Sequence, residues 1–191
     1  MITGEVRVSY ANVWEPAKTP SGDMKYSMCL LIPKDDTESI GEVHDAIQAA
    51  VQKGLDNNKF GKAHVPKLRL PIRDGDAEFE EGSRGPEYKG HFFINASSKN
   101  PPGMVDKNVK PIIDQDDFYS GCFARVDINF FPYNTAGNVG IGVGLNNIMK
   151  TNDGDRLDGR MNAEDAFAGF GQASEPDESS PNDMDDDDIP F

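Results

Sequence analysis

The chain has 191 residues, with 33 acidic and 19 basic side chains and a formal net charge of -14. That length fits one domain with an appendage or two small domains, and a hydrophobic content of 37% is low for a chain that folds from end to end, so part of it contributes nothing to a core. No run of about 18 apolar residues exists to cross a membrane, and the N-terminus opens into strand-like sequence instead of a basic and apolar signal, which argues against a membrane or secreted protein.

The charge locates the part outside the core. Residues 151–191 hold 13 acids and two bases, Arg156 and Arg160, whereas residues 1–150 hold 20 acids against 17 bases. The expected organisation is a folded domain over 1–150 and a disordered acidic tail over 151–191. Cys29 and Cys122 lie far apart with no second cysteine nearby to complete a metal or redox pair, and read as reduced cytoplasmic thiols.

Residues 4–14 alternate, with Val6, Val8 and Tyr10 on one face and Arg7 and Ser9 on the other, as in a half-buried strand. A second strand over 24–33 puts Met24, Tyr26, Met28, Leu30 and Ile32 on one face and Lys25 and Ser27 on the other, and Pro33 stops it. Asp35, Asp36 and Glu38 then precede Ile40, Val43, Ile47 and Val51, a helical stripe with acids at its N-terminus and Gly54 and Asn57-Asn58 at its end. From 59 to 73 come five bases (Lys59, Lys62, Lys67, Arg69 and Arg73) and no acid. The glycine-rich acidic stretch 74–87 reads as a mobile loop.

Three further strands follow. In 88–96, Phe92, Ile94 and Ala96 face one way and Lys89, His91 and Phe93 the other. In 121–131, Cys122, Ala124, Val126, Ile128 and Phe130 form the core face, leaving Phe123, Arg125 and Phe131 outward. A hairpin turn over 133–137 leads to 138–145, where Val139, Ile141, Val143 and Leu145 alternate with Gly140, Gly142 and Gly144. Three glycines on one face mark a coiled barrel corner or a close approach by another group, and the corner is the reading taken. Five strands and one helix without βαβ alternation give a mainly β fold, a small five-stranded antiparallel barrel.

Signals for catalysis are poor. Gly61-Lys62 is followed by Ala63, without the hydroxyl of a phosphate-binding loop. His44, His64 and His91 have neither metal spacing nor a nucleophile beside them, although His64 and His91 are candidates for phosphate contact. Residues 153–159 with Glu164 faintly resemble a calcium loop with a displaced glycine, and read as a solvated linker. No cofactor or metal is expected. The sharpest motif is the end, Met184-Asp-Asp-Asp-Asp-Ile-Pro-Phe191: Asp185, Asp186, Asp187 and Asp188 cannot pack in a core, and Ile189, Pro190 and Phe191 form an extended apolar hook suited to a partner's apolar pocket rimmed by bases.

This ending resembles the acidic C-terminal tip of bacterial single-stranded-DNA-binding proteins. The body, through residues 4–14, 121–133 and on to 145, is similar to the OB-fold single-stranded-DNA-binding proteins of tailed phages. The helix after the second strand departs from the usual OB-fold, in which it follows the third. The resemblance implies a non-enzymatic protein that coats single-stranded DNA in DNA replication, recombination and repair, in the cytoplasm of a bacterial host. Its tip would recruit a polymerase, helicase or primase, and a homo-oligomer is left open. The residues agree with that role, since single-strand binders interleave bases with rings on which nucleobases stack. The candidates are Trp14, Lys25, Lys62, Lys67, Arg69, Arg73, Lys89, Phe93, Phe123, Arg125, Phe131 and Tyr133, and burial is the competing role for each ring. Two rivals are an acidic interaction protein or DNA mimic, and a metal-dependent nuclease on Asp114, Asp116 and Asp117.

Overall fold

The computed structural model describes residues 1–61, 67–135, 138–157 and 159. The chain divides into units 1–160 and 161–191, and every described residue belongs to the first. The elements are β1 (Val6–Lys18), β2 (Met24–Pro33), α1 (Thr37–Asp56), β3 (Ile72–Asp74), α2 (Gly75–Glu80), β4 (His91–Ser98), β5 (Gly103–Val105), β6 (Phe123–Thr135) and β7 (Asn138–Asn152), with single 3₁₀ turns at Pro86–Tyr88 and Gln115–Asp117.

β1 pairs with β2 and with β6, β2 with β4, and β6 with β7, all antiparallel. One parallel bridge, Ser97 to Gly144, joins β4 to β7 and brings the run β1-β2-β4-β7-β6 back upon itself. The result is a five-stranded, partly closed OB-like barrel. Its interior takes Val6 and Val8 from β1, Met28, Leu30 and Ile32 from β2, Ile94 and Ala96 from β4, Ala124, Val126 and Ile128 from β6, and Val143, Leu145 and Ile148 from β7, all buried. Alternation along each strand puts these side chains inward, and burying them supplies the main driving force for the fold.

α1 packs against β6. The Asp36 side chain caps it by accepting from the Ser39 N–H at 3.0 Å. Val43 and Ile47 enter the main core, while Ala50 joins Phe60, Leu68 and Ile141 in a smaller cluster. The helix lies between the second and third barrel strands, as its place in the sequence requires.

Several expectations are corrected. Among the described residues the sheet has seven strands, because three-residue β3 and β5 add to β4 and β7, and the β5–β7 pairing is parallel like that of β4–β7. The stretch expected as a mobile loop contains α2 and a 3₁₀ turn, and ion pairs hold it: Lys34 Nζ lies 2.7 Å from both Asp74 Oδ1 and Asp76 Oδ2. These hydrogen bonds from Lys34 hold the carboxyls of Asp74 and Asp76 below their ordinary range.

The folded part also continues beyond Lys150. Thr151 and Asn152 belong to β7, and the Leu157 N–H donates to Ser120 O at 2.8 Å. Arg7 Nη2 donates to Asp155 O at 3.1 Å and Tyr119 Oη to Asp153 Oδ1 at 3.0 Å, so residues 153–157 form a clasp instead of a linker. Residues 161–191, with the acidic tip, lie outside the described residues.

The glycine stripe on β7 is explained by close approach, not by a barrel corner. A Cβ on Gly142 would meet the Phe131 ring, one on Gly144 the Asn129 side chain, and one on Gly140 the backbone of Arg69. At Gly140 the neighbour is rigid, because Arg69 N donates to Val139 O at 3.0 Å and Arg69 O accepts from Ile141 N at 2.9 Å. Gly140→Ala should therefore detach residues 67–70 from β7 and cost about 1 to 3 kcal/mol, as overpacking does. Thermal unfolding should show a melting temperature lower by several degrees.

Candidate nucleic-acid interface

Strand register lays a row of small polar residues across the outside of the barrel. Asn12 lies opposite Ser27, Ser27 opposite Ser97, Ser97 opposite Gly144, and Gly144 opposite Asn129. Their neighbours Met28, Ala96, Leu145 and Ile128 point into the core, so the row faces outward. With strands about 4.8 Å apart, the five residues span roughly 19 Å. The row offers amide and hydroxyl groups and no bulky side chain along its floor.

At the far end of the row β7 supports a ring. Phe131 is 42% exposed, and its ring covers Gly142, whose missing side chain leaves room for it. At the β1 end stands Tyr10, 57% exposed, although simple alternation places it with Val6 and Val8 on the core face. Its φ of 47° and the register shift between Ser9 and Asn12 mark a bulge, which returns Ala11 and Val13 to the core side and turns Tyr10 out.

Tyr10 belongs to a cluster of rings and cations. The Arg84 guanidinium lies 5.3 Å from the Tyr10 ring centroid, 5.1 Å from Tyr88 and 5.2 Å from Phe93, and Arg73 lies 5.2 Å from Phe93 on its own account. Glu78, only 8% exposed, pairs with both arginines, through Oε1 to Arg73 and Oε2 to Arg84. Beneath them Cys29, Leu31, Tyr88 and Phe93 form a buried cluster outside the barrel wall. Burial there pushes the Cys29 thiol up to about 11.

Next to Tyr10 a cleft of about 530 Å³ opens between β1 and residues 115–120. Asn12, Trp14, Tyr119, Gln115, Asp116 and Arg156 are among its lining residues. Trp14 Nε1–H donates to Phe118 O at 3.0 Å, which fixes the indole, and the Arg156 guanidinium lies 4.2 Å from the Tyr119 ring centroid. The arrangement offers rings and amides to planar groups with polar edges, and Arg156 there is shared with a carboxylate, Asp116, 3.9 Å away.

The family model described as Enterobacter phage Enc34, ssDNA-binding protein, matches residues 1–180. The chain belongs to this family. A curated relative within reach of the Enc34-type chain is protein p50 of Acyrthosiphon pisum secondary endosymbiont phage 1, 29% identical over 180 residues, which cover 88% of this chain and 86% of p50. Among solved structures, the single-stranded DNA-binding protein from bacteriophage Enc34 in complex with ssDNA is 25% identical, with a TM-score of 0.66 over 82% of this chain and 88% of that one. Gp2.5, a single-stranded DNA binding protein encoded by bacteriophage T7, is 16% identical, with a TM-score of 0.61 over 92% and 96% of the two chains. The likeness to gp2.5 shows a shared fold.

Within this Enc34-type chain the residues expected to bind DNA do not form one surface. Trp14 lines the cleft, and Arg73 lies beside the Tyr10 and Arg84 cluster. Lys25 is half-buried on β2 opposite Ala17. Lys89 is exposed, 4.9 Å from the Phe79 ring centroid. Phe131 and Tyr133 sit near the β6–β7 hairpin end, where Arg69 bridges to Gly140. Arg125 belongs instead to an apolar groove with Ile2, Val105 and Met149, and Phe123 is half-buried on β6. Lys67 is exposed, whereas Lys62 and His64 lie outside the described residues.

Phe93 is a correction. It does face away from the barrel interior, as alternation requires, but it is fully buried because α2 and the following 3₁₀ turn bring Tyr88 over it, edge to face at 5.1 Å. His91 Nδ1 is 2.7 Å from Lys89 O. Asp114 caps its own 3₁₀ turn, accepting from Asp116 N at 3.0 Å, and among the described residues no three His, Cys, Asp or Glu side chains are grouped to hold a metal ion. No helix among them is long and apolar enough to cross a membrane.

Tyr10, Asn12, Arg84, Ser97, Asn129, Tyr119 and Arg156 belong to the row, the ring cluster or the cleft with little local sequence pattern to single them out. One signal was present: apolar residues at 6 and 8 resume at 11 and 13, a one-residue change of phase that marks a bulge. Glu78→Ala would leave Arg73 and Arg84 without their shared carboxylate over a buried cluster. Because Arg73 is half-exposed, the expected loss is about 1 to 3 kcal/mol, below that of a fully buried pair. A lower urea midpoint, with Glu78→Gln less affected than Glu78→Ala, is the expected result.

Proposed function

We propose that this chain binds single-stranded DNA along the polar row between Tyr10 and Phe131, with arginines beside the path, and acts in replication, recombination and repair of phage DNA in the cytoplasm of a bacterial host. Family membership supports the ligand class. The observation that carries the path is the pairing of two exposed aromatic side chains, Tyr10 and Phe131, with the two ends of a floor of small polar groups. Bases stack on rings without regard to sequence, which suits a coating protein, and the floor leaves room for the chain to lie flat.

The net charge of -14 does not oppose this reading, because attraction follows local potential and the acids are concentrated in residues 151–191. A DNA mimic would display carboxylates where this surface displays arginines and rings. We infer for the tip, Asp185 to Phe191, a role in recruiting partners such as a polymerase, helicase or primase, supported by an apolar hook next to four aspartates that no core can take. The domain that binds DNA is assigned to the first unit, residues 1–160, and the recruiting tail to residues 161–191.

Oligo-dT should quench Trp14 fluorescence, and its affinity should fall steeply with salt as counterions are released. Tyr10→Ala and Phe131→Ala should each weaken binding by about 1 to 3 kcal/mol. Both side chains are exposed, so melting temperatures should stay near that of the parent; a variant that loses stability and keeps its affinity would assign that ring to packing.

Deleting residues 183–191 removes five aspartates. DNA affinity should rise, most at low salt, where like charge is least screened. Removing Phe191 alone should leave DNA affinity nearly unchanged and abolish capture of a purified polymerase, helicase or primase of the same phage system. Unchanged capture would refute the hook.

A further inference from the structure

We propose that the cleft beside β1 receives one nucleobase turned out of the bound strand, and that it selects guanine; the proposal rests on the single-strand reading above. Asn12 belongs both to the polar row and to the cleft lining, so a strand that crosses the row passes the mouth of the cleft. Its volume of about 530 Å³ falls within the ~300 to 1,000 Å³ typical of small-molecule sites.

The walls are aromatic and held in place before anything binds. Trp14 is fixed through its Nε1–H to Phe118 O, and the Tyr119 hydroxyl donates to Asp153 Oδ1 at 3.0 Å while Arg156 covers its ring. Tyr10, fixed in a left-handed backbone conformation, stands at the same opening. Rings whose positions are already set lose little freedom when a base stacks on them.

The polar lining decides which part of a nucleotide enters. Glu87 and Asp116 line the cleft together with Asn12 and Gln115. Two carboxylates repel a phosphate, and Asp116 lies 3.9 Å from Arg156, so that cation is shared with a protein anion. The backbone of a bound strand is therefore kept outside. A base edge is different, because it carries N–H donors that carboxylates accept.

Among the four bases guanine alone presents two adjacent donors, N1–H and the N2 amino group, which match the two oxygens of one carboxylate. Adenine and cytosine offer an amino group beside an acceptor, and thymine offers one N–H between two carbonyl oxygens that repel an anion. An unstacked base exposes this edge fully, which is how single strands are read. The expected order is guanine first, adenine and cytosine next, thymine last.

The test uses the full chain and short oligo-dT carrying a single central dG, dA, dC or dT, with affinity read by fluorescence anisotropy at fixed salt. One dG should tighten binding about tenfold over dT, the size of one well-made base contact. The double variant Glu87→Gln, Asp116→Asn should remove that preference, with tighter binding of every oligonucleotide as two negative charges are lost. Equal affinities for the four oligonucleotides, or a dG preference that survives the double variant, would overturn the proposal. Guanosine monophosphate and thymidine monophosphate, titrated against Trp14 emission, test the cleft independently of strand coating. Guanosine monophosphate should act at the lower concentration, and no difference between the two would count against the cleft. Absence of any oligo-dT binding alongside a guanosine response would instead refute the coating path.

Discussion

The bulge at Tyr10 is the constraint on which the outer surface depends. A residue with φ near 47° inside a strand costs free energy, of order 1 to 3 kcal/mol for a non-glycine residue. The extra residue leaves the backbone there unpaired with β2, and the Ala11 N–H finds the Ser120 hydroxyl at 3.0 Å instead. That hydrogen bond joins the Trp14 Nε1–H bond to Phe118 O and the backbone bonds between Val8 and residues 121–122 in tying β1 to the segment before β6. Together these bonds hold β1 beside residues 115–120, where the cleft opens.

A second set of contacts depends on the first. With Tyr10 turned out, Arg84 has a ring to lie against, and Glu78 holds it and Arg73 together over Tyr88 and Phe93. Cations at a protein surface usually lose much of their reach to side-chain motion and solvent. Here the carboxylate and the rings restrict both guanidiniums, at the expense of one unit of positive charge. The outer wall of β2 and β4 thus carries apolar packing of its own, covered by α2, and gains rigidity that a polar sheet face lacks.

How much of this could be read in the sequence follows from the range of the forces involved. Alternation within strands depends on neighbours two residues away, so the inward faces of β2, β4, β6 and β7 and the stripe Val43, Ile47 of α1 were legible. Alternation puts Phe93 outward, which is right for the strand and wrong for the molecule, because what covers it comes from Tyr88 and α2 and no local pattern reports that. The stretch 74–87 looks loose because it is acidic and rich in glycine, whereas Asp74 and Asp76 are matched by Lys34, just after β2, and Glu78 by Arg73 and by Arg84 within the stretch. The polar row is harder still. Ser27, Ser97 and Asn129 are unremarkable singly, and they become a surface only when register sets them side by side.

The seam between β4 and β7 has a consequence of its own. Among the described residues thirteen pairs join β6 to β7, but one bridge, Ser97 to Gly144, joins β4 to β7. Among these residues, that seam is where opening the barrel would break the fewest ladder pairs. The polar row crosses the same place. A polymer lying along it would act as a strap over the weakest joint, so the closed barrel and the occupied barrel would favour each other through linkage. Adjacent molecules on one strand would then each be stiffened by the strand they share, with no need for any contact between them.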